Sequence, residues 1–545
     1  MNSSKDTYRS WFQPKNNFLE LRLSGEIPEE PKKFLFFGPE KSNLMELITT
    51  IDRAREDRTI KGIFLRIDPL NAGWAKVQEL REAIFSFRET GKKVLCYMEI
   101  GSDREYYLAS SCDKIILAPS GYLEVNGLAS EVTFIKGTLD KLGIEAELEH
   151  IGDYKTASDL LTRDEMSDAH REVANSIVDD LFSQLIRGIA KTRGLTEDEV
   201  RVLMDNGPYT ASEALKAGLV DTLAFYDQLE EMAEKMLVEK PRKKEFQDYS
   251  EKKYYRYSWA IPPKIAVIFA EGSIFSGESG NNFLFGKIMG SETIASAIKK
   301  AREDRSVKAI VFRIDSPGGS GIASDEIWRE IQRTKGKKPF VVSMSDVAGS
   351  GGYFIACPGD TIFAMPATYT GSIGVITGKF NLSGLYNKIG FSKEIIKRGE
   401  HSDFYNLSRG FSEEERKIVK RQIKEFYDDF VKKVSEGREM SFDSVHQVAQ
   451  GRVWTGYQAK ENGLVDEFGG LKLAIACAKN MAGIEPEKEI EIVTLPETRW
   501  SFDFGIMDLL SFSEKFDPLF KEMEKVKLLE DERILFLVPY QIEIE

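Results

Sequence analysis

The sequence predicts an α/β fold made of two tandem repeats of one domain. Two nearly identical stretches, Ala54–Asp68 and Ala301–Asp315, lie 247 positions apart. Within each copy, short runs rich in β-branched residues alternate with longer segments of helical period. That order is typical of a mainly parallel sheet with crossover helices. The chain is therefore interpreted as a duplication, whose copies can be compared with each other.

The predicted elements follow the repeat in order. Counterpart segments are the strands 18–23 and 265–269, the strands 63–67 and 310–314, and the helices 79–87 and 325–331. Near position 165 the second copy loses two residues, so that Gly218–Asp221 matches Gly463–Asp466 at an offset of 245. The register therefore holds across most of the chain.

The repeat divides the chain into five predicted segments. At 545 residues the chain is too long for one core, which agrees with two large domains. The five segments are an N-terminal extension (1–17), a first repeat (18–235), a connector (236–262), a second repeat (263–490) and an amphipathic C-terminal tail (491–545).

Composition narrows the function classes. Apolar residues make up 42% and charged residues 30%, and the net charge is −13, which argues against a nucleic-acid partner. The four cysteines and four histidines show no C-x-x-C pair and no metal-ligand spacing, so we expect free thiols and no metal. No G-x-x-x-x-G-K-[ST] loop occurs, so neither a nucleotide nor another cofactor is expected.

Membrane contact is left open by the sequence. The N-terminus lacks the apolar core of a secretory signal, and no run of about 18 apolar residues predicts a transmembrane helix. Trp11–Phe12 and the tail from Trp500 to Val538 are amphipathic enough to touch a bilayer surface or a partner. The alternative is that both pack onto the domains.

The second copy carries features of a serine nucleophile. Its strand ending at Asp315 runs into Pro317, Gly318 and Gly319, a loop in which backbone N–H groups can be approached, as an oxyanion hole requires. About 30 residues on, Ser350 lies between glycines at a predicted strand-to-helix turn. Activated serine nucleophiles use this arrangement.

Comparison of the two copies indicates which residue could act as the base that activates Ser350. The first copy has Asp103 at the position of Ser350, but it has Lys155 where the second copy has Ser402. Lysine is a known activator of serine, whereas His401 and His446 lack the sequence context of a triad histidine. This complementary loss predicts that Lys155 and Ser350 meet at a boundary between unlike repeats.

These motifs resemble the signal peptide peptidase A (protease IV) family in its long, duplicated form. The segments that carry the resemblance occur in the family's order: Gly152–Lys155, Asp315–Gly319, Ala348–Tyr353 and Thr370–Val375. The resemblance implies the spiral ββα fold shared by the Clp protease and crotonase superfamily.

The resemblance also implies roles for site residues. Ser350 would be the nucleophile and Lys155 the general base, with Ser372 orienting the lysine amine. The backbone of Gly318, Gly319 and Gly351 would form the oxyanion hole. Ser372 also differs between the copies, because its first-copy counterpart is Val125.

Partners and compartment follow from the same resemblance. It implies extended hydrophobic peptide substrates, such as cleaved signal peptides, and a ring of four identical chains. Whether each serine–lysine pair forms within or between chains is left open. Long bacterial members commonly carry an N-terminal membrane anchor that this sequence does not show, so the expected location is membrane-associated or cytoplasmic.

Two other function classes compete with a protease. A crotonase-like enzyme acting on acyl-CoA would use similar oxyanion holes, but it would leave the serine and lysine pattern unexplained. A non-catalytic membrane-stress scaffold is the second alternative, since the first copy has lost its nucleophile.

Overall fold

The computed structural model describes residues 17–30, 42–237, 240–251, 262–282, 286–497 and 534–537. The predicted N-terminal extension, including Trp11–Phe12, and most of the predicted tail lie outside these residues. Two compact units form. Of the described residues, the first comprises those up to 128 and those from 181 to 251, and the second comprises 129–180 and those from 262 onward. The second unit thus includes part of the first sequence repeat, whose boundaries stay a prediction.

Strands are numbered in chain order. Those before residue 261 are β1 (Asn17–Glu26), β2 (Ile60–Asn71), β3 (Lys93–Ser102), β4 (Lys114–Glu124), β5 (Glu145–Ile151), β6 (Tyr209–Thr210), β7 (Thr222–Leu223) and β8 (Arg242–Glu245). Those after it are β9 (Lys264–Glu271), β10 (Ser273–Phe275), β11 (Gly280–Asn282), β12 (Gly286–Gly290), β13 (Val307–Ser316), β14 (Gly318–Ser320), β15 (Phe340–Gly349), β16 (Thr361–Ala364), β17 (Tyr369–Gly371), β18 (Val375–Asn381), β19 (Val453–Thr455), β20 (Glu467–Phe468), β21 (Glu491–Leu495) and β22 (Ile534–Leu537).

Helices are numbered in the same way. Those before residue 261 are α1 (Leu44–Glu56), α2 (Trp74–Arg88), α3 (Asp103–Ala109), α4 (Lys136–Leu142), α5 (Asp159–Thr162), α6 (Asp168–Arg193), α7 (Glu197–Asp205), α8 (Ala211–Lys216), α9 (Leu229–Leu237) and α10 (Phe246–Ser250). Those after it are α11 (Ser291–Glu303), α12 (Gly321–Gln332), α13 (Gly351–Ala356), α14 (Ser383–Ile389), α15 (Glu413–Arg438), α16 (Phe442–Val448), α17 (Gly456–Glu461) and α18 (Leu471–Met481).

The first unit is built on a seven-stranded sheet. Its order is β6-β4-β3-β2-β1-β8, and β7 also pairs with β4. All neighbours are parallel except β6, which runs antiparallel to β4. β8 comes from the predicted connector, so part of that segment completes this sheet.

The second unit holds two sheets. The larger has eight strands, six of them in the order β19-β17-β15-β13-β9-β21, while β16 pairs with β15 and β20 pairs with β16. Its central strands β9, β13 and β15 are parallel and almost wholly buried. Parallel strands covered on both faces read as nearly continuous apolar runs, and the 310–314 segment shows this pattern apart from Arg313, which is itself buried.

The smaller sheet of the second unit contains a strand from the first sequence repeat. Its order is β11-β12-β10-β14-β22-β18-β5. β5 pairs antiparallel with β18 along its whole length, from Glu145 opposite Asn381 to Ile151 opposite Val375. Lys155 lies four residues beyond this strand and is therefore carried into the second unit.

Equivalent hydrogen bonds recur in the two units. The Tyr106 hydroxyl donates to the Leu219 carbonyl, and the Tyr353 hydroxyl donates to the Leu464 carbonyl, each at 2.9 Å. These tyrosines are counterparts in the sequence repeat. The duplication inferred from sequence is therefore repeated in buried side-chain contacts.

Carboxylates anchor the same strand in both copies. Asp221 accepts the Ile115 N–H at 2.7 Å, and its counterpart Asp466 accepts the Ile362 N–H at 2.8 Å. Each aspartate also pairs with an arginine that lies on a long helix, Arg193 in the first copy and its counterpart in the second. The repeated Gly-Leu-Val-Asp segment thus has a structural role.

Each unit has an apolar core. In the second unit the aromatic pairs Phe312–Phe340 and Phe354–Phe430 lie with ring centroids 5.6 and 4.9 Å apart in one large buried cluster.

Within the described parts of the chain, no helix is long and apolar enough to cross a membrane. All four cysteines are free thiols; Cys96, Cys112 and Cys357 are buried and Cys477 is partly exposed.

Candidate active site

Ser350 lies at a strained turn between β15 and α13. Its φ of 53° and ψ of −111° are rare for a residue with a side chain, and such strain costs about 1–3 kcal/mol. The turn is fixed because the Ser350 N–H donates to the Gly371 carbonyl at 2.8 Å. The next residue must be glycine, since a Cβ on Gly351 would lie 2.9 Å from Ser324 Oγ and 3.1 Å from Gly318 Cα.

Lys155 reaches Ser350 within the second unit of one chain. Its side chain is fully buried, and Nζ lies 2.7 Å from Ser350 Oγ. Nζ also lies 3.1 Å from Ser372 Oγ and 3.0 Å from the Ser372 carbonyl oxygen. The structure therefore brings together all three side chains that the sequence singled out.

The environment of Lys155 favours its neutral form. Burial holds the pKa of Lys155 well below its ordinary value of 10.5, because the ammonium loses its hydration. A neutral amine has two N–H donors and one lone pair. Two donations to Ser372 would leave that lone pair facing Ser350 Oγ. Three oxygen atoms of two serines therefore surround the buried amine.

Ser372 is held in place by backbone contacts. It also has a positive φ, of 51°, and its N–H donates to the Arg452 carbonyl at 2.7 Å. Gly371 precedes it with φ of 77°. Two successive residues in this conformation turn the Ser372 hydroxyl and carbonyl toward the same amine.

A loop that sequence reasoning missed packs directly against Lys155. The Gln450 carbonyl accepts the Tyr154 N–H, and the Gly451 N–H donates to the Ile373 carbonyl, both at 2.8 Å. A Cβ on Gly451 would lie only 2.5–2.6 Å from the N, Cα and Cβ atoms of Lys155. Gly451 has Asn206 as its first-copy counterpart, so the comparison that revealed Ser350 could also have found it.

A charged pair holds the far side of this loop. Arg452 donates to Glu172 at 2.5 Å, and the same carboxylate accepts the Tyr154 hydroxyl at 3.1 Å. The chain on either side of Lys155 is therefore linked to the loop that supports Ser372.

The predicted glycine loop lies beside the nucleophile turn. Gly318 and Gly319 have φ of 103° and 152°, and a Cβ on Gly351 would lie 3.2 Å from the Gly319 nitrogen. The Gly318 N–H already donates to Ser316 Oγ at 3.2 Å. That bond fixes the loop, and it is a feature that the sequence did not predict.

The equivalent place in the first unit is filled by carboxylates. Asp103 accepts the N–H groups of Asn126 and Gly127 at 3.3 and 3.1 Å, and burial raises its pKa to about 7. Glu105 accepts the Leu70 N–H at 2.7 Å. The backbone N–H of Leu70, in the first-copy counterpart of the glycine loop, is thus bonded within the protein.

The two histidines of the second copy bond to other residues. His446 shares a 2.9 Å hydrogen bond with the Tyr427 hydroxyl, and His401 lies 3.7 Å from a Glu415 oxygen. Among the residues described, no group of three or more His, Cys, Asp or Glu side chains is placed to hold a metal ion.

A serine at a strained strand-to-helix turn of a parallel α/β sheet is an arrangement typical of serine hydrolases. Peptidase family S49 matches residues 86–239 and 332–485, once in each repeat and over more than half of the chain. The chain therefore belongs to peptidase family S49, and it is a serine protease.

Relatives agree over most of the chain. It is 37% identical over 489 residues to the chloroplastic serine protease SPPA of Arabidopsis thaliana, covering 88% of this chain and 71% of the relative. It is 33% identical over 462 residues to Protease 4 of Salmonella typhi, covering 82% and 73%. For Protease 4 of Haemophilus influenzae the identity is 31% over 471 residues, covering 83% and 75%.

A solved ClpP1 mutant from Listeria monocytogenes shows a weaker likeness. It has a TM-score of 0.26 and 15% sequence identity, and it covers 38% of this chain and 94% of that one. At that TM-score the likeness supports no inference about function.

The family and fold class predicted from sequence are confirmed: the chain has two S49 repeats and α/β architecture. The acyl-CoA enzyme and the non-catalytic scaffold are set aside, because the family and the relatives are those of proteases.

Proposed function

We propose that the protein is a Ser-Lys endopeptidase that hydrolyses extended hydrophobic peptides, such as cleaved signal peptides. The observation that carries the proposal is the 2.7 Å contact between Lys155 Nζ and Ser350 Oγ, made by a fully buried lysine. A protonated lysine there would be costly, whereas a neutral lysine is a base.

In the first step, Ser350 Oγ attacks the peptide carbonyl carbon while its proton passes to the Lys155 amine. The carbonyl oxygen becomes an oxyanion, which the N–H groups of Gly319 and Gly351 stabilise. Gly318 shapes this hole through its bond to Ser316. Collapse of the intermediate breaks the C–N bond, and Lys155 returns the proton to the leaving amine, so an acyl-enzyme and a shorter peptide result.

In the second step, water attacks the acyl carbon and gives a proton to Lys155. The C–Oγ bond then breaks, Ser350 recovers its proton and the acid product leaves. Throughout both steps Ser372 accepts the two remaining N–H groups of Lys155, which keeps the lone pair directed at Ser350.

The burial of the two catalytic side chains limits which substrates can reach them. Ser350 and Lys155 are fully buried, so only a chain without folded structure can bring a peptide bond to them. Such a chain binds by adding a strand to an existing sheet. A relative from Enterococcus faecium, 38% identical over 200 residues, is described as a putative signal peptide peptidase.

We further propose that copies of the chain assemble into a ring, with four chains as the expected number. Residues 392–398 are the second-copy counterpart of β5. They form no strand, and the exposed apolar residues Phe391 and Ile396 lie in or beside them, Ile396 being 89% exposed. The counterpart of β18 is 128–134. By repeat symmetry, 392–398 of one chain pairs with 128–134 of a second copy.

An Ile396→Asp variant tests this assembly. We expect its oligomer to dissociate in light scattering coupled to size exclusion, whereas Val202→Asp, at a residue that is 58% exposed in the first unit, stays assembled. An unchanged mass for Ile396→Asp would contradict the pairing. Membrane contact stays a prediction, since Trp11–Phe12 and Trp500 lie outside the described residues.

The catalytic proposal is tested with an apolar fluorogenic peptide. We expect Ser350→Ala and Lys155→Ala to abolish cleavage, whereas Ser402→Ala, at the exposed counterpart of Lys155, keeps full activity. Because both groups come from one chain, mixing the two inactive variants under conditions of proven subunit exchange restores no activity. Recovered activity would show that the site joins different chains.

A further inference from the structure

The side chain of Arg452 contacts two aromatic rings and a carboxylate. Its guanidinium carbon lies 4.8 Å from the centre of the Tyr154 ring and 4.6 Å from the centre of the Trp454 ring. Nη1 donates to Glu172 at 2.5 Å, and only 17% of the arginine side chain is exposed. A planar, weakly hydrated guanidinium stacks on aromatic rings in a way that a lysine ammonium does not. These contacts favour a single position of the side chain.

Tyr154, one of the two stacked rings, directly precedes Lys155. Its N–H donates to the Gln450 carbonyl at 2.8 Å, and its hydroxyl donates to Glu172 at 3.1 Å. The guanidinium of Arg452 lies over its ring. Backbone, ring and hydroxyl of this tyrosine are thus all held. Its position therefore sets the point from which the lysine side chain extends.

The main chain of Arg452 holds Ser372. The Arg452 carbonyl accepts the Ser372 N–H at 2.7 Å, and its own N–H donates to the Ala449 carbonyl at 2.9 Å. The two oxygens of Ser372 lie 3.0 and 3.1 Å from Lys155 Nζ. Arg452 therefore contacts the residue before the proposed base through its side chain, and the serine that orients this base through its carbonyl.

The repeat shows that this charged pair is absent from the first copy. Arg452 corresponds to Gly207, which has no side chain, and Glu172 corresponds to Lys417, which has the opposite charge. The pair thus occurs at the boundary where Lys155 meets Ser350, and its members are not shared by both copies. Ser350 and Lys155 show the same pattern.

Backbone strain indicates that the loop of Arg452 is held firmly. Among the described residues other than glycine, a positive φ occurs at Ser350, Ser372, Gln450 and Glu439. Three of these four belong to the proposed site or to the loop beside it. Strained residues of this kind persist only where their surroundings over-determine them. The contacts of Gln450 and Arg452 therefore fix this loop at a cost in local strain.

We infer that Arg452 is a positioning residue for the proposed catalytic pair, and that its stacked side chain and its carbonyl together set the position of Lys155 relative to Ser372. The inference rests on the proposed Ser350–Lys155 mechanism. Arg452 acts through Tyr154 and Ser372 and not on the reacting atoms.

Arg452→Gln removes the stacking and the charge but keeps the main chain. Because a 1 Å misplacement of a catalytic group costs about 100-fold, we expect kcat to fall about 10- to 100-fold with KM unchanged. A loosened Lys155 would also gain hydration, so its pKa would rise toward 10.5. The acidic limb of the kcat/KM profile should then move to higher pH. A variant that only lowers the folded fraction would reduce the rate without moving this limb.

Two further variants separate position from charge, since loss of a nearby positive charge would by itself raise the pKa of a lysine. Arg452→Lys keeps the charge but not the planar stack, and it should lower kcat as Arg452→Gln does. Tyr154→Leu keeps Arg452 but removes its ring partner, and the same loss is expected. Because Tyr154→Leu and Arg452→Gln break one shared contact, the double variant should lose at most about twofold more than the worse single variant.

The matched control is Arg66→Gln in the first unit. The Arg66 guanidinium carbon lies 5.8 and 5.5 Å from the ring centres of Tyr97 and Tyr226, and its Nη2 donates to Glu99 at 3.0 Å. This arginine has the same kind of surroundings but no contact with the proposed site. We expect its substitution to leave kcat and the pH profile as in the wild type.

The readout is steady-state hydrolysis of an apolar fluorogenic peptide between pH 5 and 10. Wild-type kcat and an unmoved acidic limb in Arg452→Gln would overturn the inference, and so would wild-type kcat in Arg452→Lys. Losses that multiply in the double variant would show that Arg452 does not act through Tyr154. A change confined to KM would assign Arg452 to substrate binding instead. A fully active Lys155→Ala would refute the catalytic proposal itself, whereas an inactive Lys155→Ala beside a fully active Arg452→Gln would refute only the positioning role.

Discussion

Gly451→Ala offers a stringent test of how Lys155 is positioned. The new Cβ would lie 2.5 Å from both the nitrogen and the Cβ of Lys155. Because carbon atoms in ordinary contact lie about 3.5 Å apart, the lysine backbone must retreat by about 1 Å. Carried to Nζ, that shift lengthens the 2.7 Å contact with Ser350 Oγ beyond hydrogen-bond range. A 1 Å misplacement of a catalytic group costs about 100-fold in rate.

Gly390→Ala is the matched control for this substitution. Both glycines have φ of 77°, but a Cβ on Gly390 meets no atom within 4 Å. The shared backbone strain costs about 1–2 kcal/mol in each variant. Steady-state peptide hydrolysis should therefore show kcat reduced about 100-fold in Gly451→Ala and nearly unchanged in Gly390→Ala. Equal activity of the two variants would refute the claim that this contact positions the base.

Three further predictions concern Lys155 and its partner Ser372. Since burial lowers the pKa of Lys155, kcat/KM should fall as pH drops through that lowered pKa and stay high well below pH 10.5; a rise only near 10.5 in the pH–rate profile would contradict this. Lys155→Met should raise the free energy of unfolding at neutral pH. Between the lowered pKa and pH 10.5, the unfolded wild type binds one more proton than the folded wild type. The difference in free energy of unfolding between Lys155→Met and the wild type therefore shrinks as pH rises, by at most about 1.4 kcal/mol per pH unit. Urea titrations from pH 7 to 10 measure this, and a pH-independent difference would count against a neutral buried lysine. Ser372→Ala should lower kcat about 10- to 100-fold with KM unchanged, because the amine loses one of its two acceptors, whereas a change in KM alone would assign Ser372 to substrate binding.

Much of the site could be predicted because the duplication acts as an internal comparison. Fold-forming residues are shared by both copies, as with Tyr106 and Tyr353. Ser350 and Lys155 each have an unrelated residue in the other copy. Differences of this kind separate chemistry from packing in a single sequence.

The inclusion of residues 129–180 in the second unit could not be predicted from the sequence. Period and composition indicate that 145–151 can form a strand, but they do not indicate its partner. Strand pairing depends on contacts between residues far apart in sequence, and β5 pairs with β18 more than 220 positions away. The adjacency of Lys155 to Ser350 in one chain follows from that pairing.

Two local features were also beyond the sequence pattern. The Gln450–Arg452 loop supports Lys155 and Ser372 through backbone atoms, which leave little trace in residue type apart from Gly451. The four residues of β22 belong to a tail whose sequence shows no catalytic pattern. Their strand forms by pairing with β14 and β18, which lie far away in sequence.

The central claim is that Lys155 activates Ser350 as the nucleophile. It is tested most directly by the rate of labelling with a fluorophosphonate probe, with the modified residue identified by mass spectrometry of the digested protein. The account predicts an adduct on Ser350 in the wild type, none in Ser350→Ala, and labelling at least about 100-fold slower in Lys155→Met. An adduct on another serine would contradict the claim, and so would labelling of Ser350 in Lys155→Met at the wild-type rate.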